Sequence, residues 1–295
     1  MRTGAVAIPA AGTRVRDFVA LAKPRLNLLV VASTLAGYAM ADGEPLGLLR
    51  ICGLALGTGL VAGGASAFNQ VYERDIDALM QRTRLRPMPD QRLQPLEAVM
   101  FGAAITIIGA LMVAAASNVL AAAVALTTVV VYVAIYTPLK RRTPFNTVIG
   151  AIPGALPAIV GWAAASGEIT AKAWVLFGIM FLWQMPHFLA IAWLCREDYG
   201  RAGLQMLPVL EPDGRSTGRQ AVIYGAALIP VSLAPAPLHM AGQVYFLGAL
   251  LLGLAFLWVT FRFARTRSTR DARRAFFGSL AYLPLLWVLM IADKL

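Results

Sequence analysis

Residues 97–137 read EAVMFGAAITIIGALMVAAASNVLAAAVALTTVVVYVAIYT, two apolar runs at 97–116 and 119–137 parted only by Ser117 and Asn118. A helix crossing a bilayer needs about 20 mostly apolar residues, and in lipid its backbone amides must bond within the same helix. The stretch therefore predicts a membrane-spanning helical hairpin. Similar runs at 26–42, 47–68, 147–165, 173–195, 220–238, 243–261 and 276–292 bring the expected total to about nine spans. The chain is 295 residues long, 59% hydrophobic and 14% charged, well short of the roughly 25% charged residues of soluble domains. These features predict an all-α, polytopic membrane bundle around a central cavity. One transmembrane domain, 26–295, is expected after an N-terminal arm, 1–25.

Charge supports the same count. With the N-terminus inside and the connections alternating, the basic clusters at 14–25, 74–92, 140–142, 196–219 and 262–274 fall on one side. Only Arg50, Lys172 and Lys294 lie on the other, so 23 of 26 Lys and Arg share a face. Such a bias marks the cytoplasmic side of a membrane protein, here the bacterial inner membrane. A net charge of +11 is thus read as orientation, and no nucleic acid partner is expected. Eleven of the fifteen acids, all but Asp42, Glu44, Glu168 and Asp293, lie on that same face, where the chemistry is expected. The stretch MRTGAVAIPAAGTRVRDF has no apolar signal core and is expected to remain as a cytoplasmic arm. Cys52 and Cys195 form no CxxC or metal spacing and read as structural thiols.

The segment ASAFNQVYERDIDALMQRTRLRP, residues 65–87, carries the most chemistry. Asn69, Glu73 and Asp77 stand at i, i+4 and i+8, one stripe of a helix leaving the membrane. Hard cations such as Mg²⁺ take carboxylate and amide oxygens together with substrate phosphates, so the stripe suits half a metal–diphosphate site. A solvated helix end pairing its acids with Arg74 and Arg82 is the alternative, and the spacing alone leaves both open. Ionised groups this near the apolar run are costly, which favours a function. Asp75 lies off the stripe. Arg82, Arg84 and Arg86 either close over an anion or set topology.

Two further segments stand out. YTPLKRRTPFNTVIG, residues 136–150, puts Lys140, Arg141 and Arg142 at the inner end of the fourth span, where cations can stabilise a leaving diphosphate or simply obey the positive-inside bias. WQMPHFLAIAWLCREDYGRAG, residues 183–203, carries Trp183 and His187 inside the sixth span and Glu197 and Asp198 at its end. His187 is either a hydrogen-bonded core residue or a functional one, since intramembrane ionisable groups mark sites. His239 is assigned nothing.

The patterns N-x-x-x-E-R-D-x-D with R-T-x-x-R-P, KR-x-T and W-Q-x-P-H-F with R-E-D-Y resemble the intramembrane aromatic prenyltransferase superfamily, and within it the protoheme IX farnesyltransferase, or heme O synthase, branch. The likeness runs from Lys23-Pro24-Arg25 through the last spans. It implies transfer of a farnesyl group from farnesyl diphosphate to a vinyl group of heme B, with Mg²⁺ as cofactor. Residues implied are Asn69, Glu73, Asp77, Glu197 and Asp198 for metal, and Lys140, Arg141, Arg74, Arg82 and Arg86 for the diphosphate. Trp183 and His187 are implied for heme, with His187 a candidate iron ligand. The superfamily's second motif, D-x-x-x-D, is here only Glu197-Asp198, which leaves a second metal site open. Association with heme A synthase or terminal oxidase assembly goes with the branch. The rival readings are a quinone-pathway aromatic prenyltransferase and a cation transporter, the latter expected to place its ionisable groups near the bilayer midplane.

Overall fold

The computed structural model describes residues 11–43 and 46–295, so the chain's first ten residues, Glu44 and Pro45 lie outside it. Helix follows helix: α1 (Ala11–Ala22), α2 (Pro24–Met40), α3 (Leu48–Tyr72), the short α4 (Arg74–Asp77), α5 (Pro95–Ala116) and α6 (Val119–Val130). After a π-helical turn, Val131–Tyr136, come α7 (Thr137–Leu139), α8 (Asn146–Ser166), α9 (Ala171–Leu194), α10 (Arg196–Arg201), α11 (Leu207–Leu210), α12 (Arg215–Leu233), α13 (Gln243–Thr266) and α14 (Thr269–Ala292). Among the described residues the only extended pairing is a single bridge between Ala241 and Lys294.

Eight helical stretches are long and apolar enough to cross a membrane. The expected span 220–238 is α12, which begins five residues earlier, at Arg215, and carries Arg215, Arg219 and Gln220 in its first turns, so it is not among the eight. It traverses the bundle nonetheless. Arg267 reaches the Asp213 carbonyl at one end, and the Tyr245 hydroxyl donates to the Ser232 carbonyl at 2.6 Å at the other. The bundle therefore has nine traverses among the described residues, with α12 packed between α9 and α13.

Successive long helices pack side by side from α2 round to α14, which returns to α2, while α2 also leans on α8 and α14 on α9. In lipid, helices associate through close packing of small residues. At the α2–α8 crossing a Cβ on Gly37 would sit 2.1 Å from the Ala158 carbonyl oxygen, and one on Gly161 would sit 1.7 Å from that of Thr34. Neither position has room for alanine. Trp162, Trp183, Leu176 and Tyr245 fill the core behind this contact.

The two ends differ as the charge pattern predicts. At one end Arg14 pairs with Glu97, Arg92 with the buried Asp17, and Lys140 with Glu73. At the other, Lys172 meets Asp42, and Lys294 donates to the carbonyls of Ala39 and Ala41, both at 2.8 Å. In the expected arm 1–25, residues 11–22 form α1, docked on α3 and α5.

Candidate active site

At the charged end α3 stops at Tyr72 and α4 starts at Arg74, but the helical bonding carries through. Glu73 N donates to Asn69 O at 2.9 Å, and Asp77 N to Glu73 O at 2.7 Å. The stripe thus survives the break. Asn69, Glu73 and Asp77 are all buried, at 2%, 6% and 2% exposure, and line one cavity of about 130 Å³. Lys23, Arg82, Arg86, Lys140, Tyr132, Tyr136 and Tyr199 complete its polar wall, with Met80, Leu204 and Met206.

Each acid is paired. The Asn69 amide donates to Glu73 Oε2 at 2.9 Å and to Thr137 Oγ1 at 3.2 Å, while Lys140 Nζ lies 2.9 Å from Glu73 Oε1. Arg86 Nη1 donates to Asp77 Oδ2 at 2.8 Å. Burial disfavours the Lys140 ammonium, but contact with the Tyr136 phenol and the Glu73 carboxylate outweighs it, so its pKa lies above the ordinary lysine value. Arg82, Arg86 and Lys140 face two carboxylates, with the Lys23 amine beside them, an excess of positive charge that suits a polyanion.

Two backbone features aim these groups. The Pro24 ring disfavours right-handed helical geometry at the preceding residue, and Lys23 takes φ 47, ψ 54, separating α1 from α2 and lining the cavity. Pro138 has no N–H for the helix ladder and crowds the turn before it. The backbone there widens into the π turn, and Thr137 Oγ1 bonds the Tyr132 carbonyl at 2.8 Å. Tyr132 and Tyr136 both reach the cavity, their rings 5.5 Å apart, and Lys140 Nζ sits 4.7 Å from the Tyr136 ring centre.

The tip of α9–α10 meets the same loop. Arg82 Nη2 donates to the Tyr199 hydroxyl at 2.9 Å and its guanidinium lies 4.8 Å from that ring, while Gln81 N donates to Asp198 Oδ1 at 3.2 Å. Burial pushes the Tyr199 phenol pKa up.

Several expected residues are placed elsewhere. Asp198 bonds Arg201 and the Gln81 amide, outside the cavity, and Glu197 is exposed. At about 100° per residue, the cavity takes Tyr199 and turns Asp198 onto the Gln81 loop. Arg74 pairs with Asp75 on the outer flank at 3.2 Å. Arg141 is exposed beside Lys140 and does not line the cavity. Trp183 is buried, its indole donating to the Ser279 carbonyl at 2.8 Å. His187 stacks between Trp183 and Phe276, with ring centres 5.3 and 5.0 Å away. Its Nδ1 is 2.7 Å from Ser279 Oγ, which gives its own proton to the Phe276 carbonyl at 2.5 Å. A hydroxyl has one proton, so the assigned tautomer puts the hydrogen on Nδ1 and leaves Nε2 as the acceptor. Lys23, Tyr132, Tyr136 and Tyr199 join the cavity without having been singled out by the sequence.

Asn69, Glu73 and Asp77 provide the hard oxygens that Mg²⁺ takes, and Asp77 Oδ1 has no hydrogen-bond donor among the described residues. No group of three or more His, Cys, Asp or Glu gathers there, so the donor set fits an ion sharing its shell with phosphate and water.

Residues 30–283 match the UbiA prenyltransferase family. The chain belongs to that family. Relatives named protoheme IX farnesyltransferase include one from Solibacter usitatus, 48% identical over 95% of this chain and 99% of its own. Another, from Koribacter versatilis, is 42% identical over 98% and 97%. The fold is that of solved UbiA-type structures. A digeranylgeranylglyceryl phosphate synthase aligns with TM-score 0.78 at 15% identity, covering 95% of this chain and 98% of its own. A UbiA homologue from Archaeoglobus fulgidus bound to GPP and Mg²⁺ aligns at 0.68 and 16%, covering 93% and 99%. Family membership, with the acids at helix ends, removes the transporter reading.

Proposed function

We propose that this UbiA-family prenyltransferase moves the farnesyl group of farnesyl diphosphate onto a vinyl group of heme B, forming heme O. The observation that carries the reaction type is the cavity in which Lys23, Arg82, Arg86 and Lys140 surround the buried pair Glu73 and Asp77. The heme substrate rests on the relatives named protoheme IX farnesyltransferase.

The diphosphate enters the cationic cavity, displacing Lys140 from Glu73 and Arg86 from Asp77 as those cations turn to its oxygens. Asn69, Glu73 and Asp77 would hold Mg²⁺, which supplies further neutralisation of the leaving group. As the allylic C–O bond breaks, its electron pair leaves on the diphosphate, and the cations already in place stabilise that charge. The vinyl carbon of the porphyrin attacks the allylic carbon. Water adds to the resulting cation and loses a proton, giving the hydroxyethylfarnesyl substituent. Tyr199, hydrogen-bonded to Arg82, holds that arginine on the cavity wall.

His187 is assigned to heme. Its bare Nε2 is the imidazole nitrogen that binds heme iron, and Trp183 and Phe276 fix the ring. By the positive-inside rule the cavity faces the cytoplasm, and the protein sits in the bacterial inner membrane. Heme A synthase and terminal oxidase assembly are the partners such a product would serve.

The test is incubation of the purified protein with heme B, farnesyl diphosphate and Mg²⁺, with product read by mass. Heme O is expected. No heme product, or transfer to a hydroxylated aromatic acid instead, contradicts the reading.

A further inference from the structure

The turn between the last two helices holds an unusual concentration of charge. Residues 262–274 contain six arginines and a single acid, Asp271. That acid is buried at 5% exposure and already engaged. It accepts from Arg274 at 3.0 Å and from Thr266 Oγ1 at 2.8 Å, with Arg262 3.7 Å away. Arg265, Arg270 and Arg273 are exposed and have no carboxylate partner among the described residues.

Beside them an open groove of about 680 Å³ runs between α13 and α14, lined by Val259, Thr269, Arg270, Arg273, Arg274 and Phe277. Arg270, Arg273, Arg274 and Phe277 stand at i, i+3, i+4 and i+7, so they share one face of α14. Phe277 lies about 10 Å deeper along the helix than Arg270. It is 63% exposed, and Trp258 on α13 is 61% exposed. Both belong to membrane-spanning helices, so the apolar part of the groove opens toward lipid and its guanidinium rim lies at the charged end.

We propose that this groove binds one anionic diacyl phospholipid of the surrounding membrane. The phosphodiester sits between Arg270 and Arg273, and an acyl chain lies along Phe277 and Val259. Basic pockets between helices at the cytoplasmic face recognise anionic headgroups, and the arginine fork matches phosphate oxygens. The carbon lining below the rim fits an acyl chain and leaves an acidic protein partner only the rim. This groove shares no lining residue with the cavity of Glu73 and Asp77 and does not depend on the reaction assigned to that cavity.

The experiment is native mass spectrometry of the full-length protein, stripped of lipid in detergent and supplied with equal phosphatidylglycerol and phosphatidylcholine. The single-lipid adduct is expected to favour phosphatidylglycerol about tenfold. Arg270→Gln with Arg273→Gln brings the ratio near one. Arg215→Gln with Arg219→Gln, which removes the same charge from the same end outside the groove, leaves it unchanged. Phe277→Ser, which changes no charge, lowers retention of phosphatidylglycerol. Equal retention of both lipids by the unmodified chain would overturn the proposal. So would undiminished selectivity in the Arg270/Arg273 variant, or equal loss in the Arg215/Arg219 control; the arginines would then serve orientation or an acidic protein partner.

Discussion

Lys140 and Glu73, 67 positions apart in the chain, meet at 2.9 Å in the wall of the cavity, with side chains only 12% and 8% exposed. The contact joins the end of the fourth traverse to the end of the second. It neutralises a buried carboxylate. Removing one member of such a buried pair costs about 3–5 kcal/mol, because the other charge is stranded. Lys140→Met and Glu73→Gln are therefore each expected to lower the melting temperature in detergent. The double variant recovers most of it. Activity follows a different rule: all three variants lose at least about 100-fold in kcat, since the double variant has no cation for the leaving group. Recovered activity in the double variant would contradict the role given to Lys140.

Neighbouring arginines and acids separate by place. Arg86→Gln strands Asp77 and removes a cation from the cavity, so kcat/KM for farnesyl diphosphate is expected to fall about 100-fold or more. Arg141→Gln, Arg74→Gln and Glu197→Gln, whose side chains lie outside, are expected to stay within about threefold of the unmodified enzyme, as surface ion pairs contribute little. Steady-state kinetics on this set decide the assignment. A loss at Arg141 equal to that at Arg86 would move the diphosphate site outward.

The Asp198 contact makes a prediction about pH. Burial alone would raise its pKa, but hydrogen bonds from Arg201 and Gln81 outweigh this and hold it below the ordinary aspartate range. A depressed folded pKa gives stability that is present above the unfolded value, about 3.9, and lost as pH falls through the folded one. The melting-temperature gap between the unmodified chain and Asp198→Asn is thus expected at neutral pH and should close below about pH 4. For Lys140, whose pKa is raised, the charge persists up to and beyond the ordinary lysine value, so no loss of activity between pH 7 and 9 should trace to it. A gap that is unchanged at low pH would rule out the Asp198 latch.

His187 has a spectroscopic signature. With Nε2 free to bind iron, heme added to the purified protein is expected to show the absorption and EPR of a histidine-bound iron. His187→Gln removes that signature and raises KM for heme by about tenfold or more, while binding of farnesyl diphosphate is untouched. Ser279→Ala, which releases Nδ1 (2.7 Å from Ser279 Oγ), weakens the signature without abolishing it. An unchanged heme spectrum in His187→Gln would leave the ring as packing alone.

Much of this was legible in the sequence, for physical reasons that also mark its limits. The apolar runs and one-sided arginines point to nine traverses, including α12, whose apolarity is weak because its first turns carry Arg215, Arg219 and Gln220. Asn69, Glu73 and Asp77 converge as their spacing predicts because the i to i−4 bonds persist across the break at Glu73. Lys23 and the two tyrosines were not legible. Their direction depends on a left-handed residue before Pro24 and a widened turn before Pro138, and periodicity at 3.6 residues carries neither. Both prolines were the available signal. Charge points to Asp198, whereas the helix face selects Tyr199, a neutral side chain one position on.

The diphosphate and metal sites are tested by a crystal structure with farnesyl thiodiphosphate, which resists cleavage, and Mn²⁺ in place of Mg²⁺. Phosphorus and manganese anomalous signals are expected together in the cavity. The diphosphate should lie within hydrogen-bond reach of Lys23, Arg86 and Lys140, and the metal on Asp77 and its neighbours Glu73 and Asn69. A diphosphate bound away from these residues, or a metal held by Glu197 and Asp198 without Asp77, would contradict these placements.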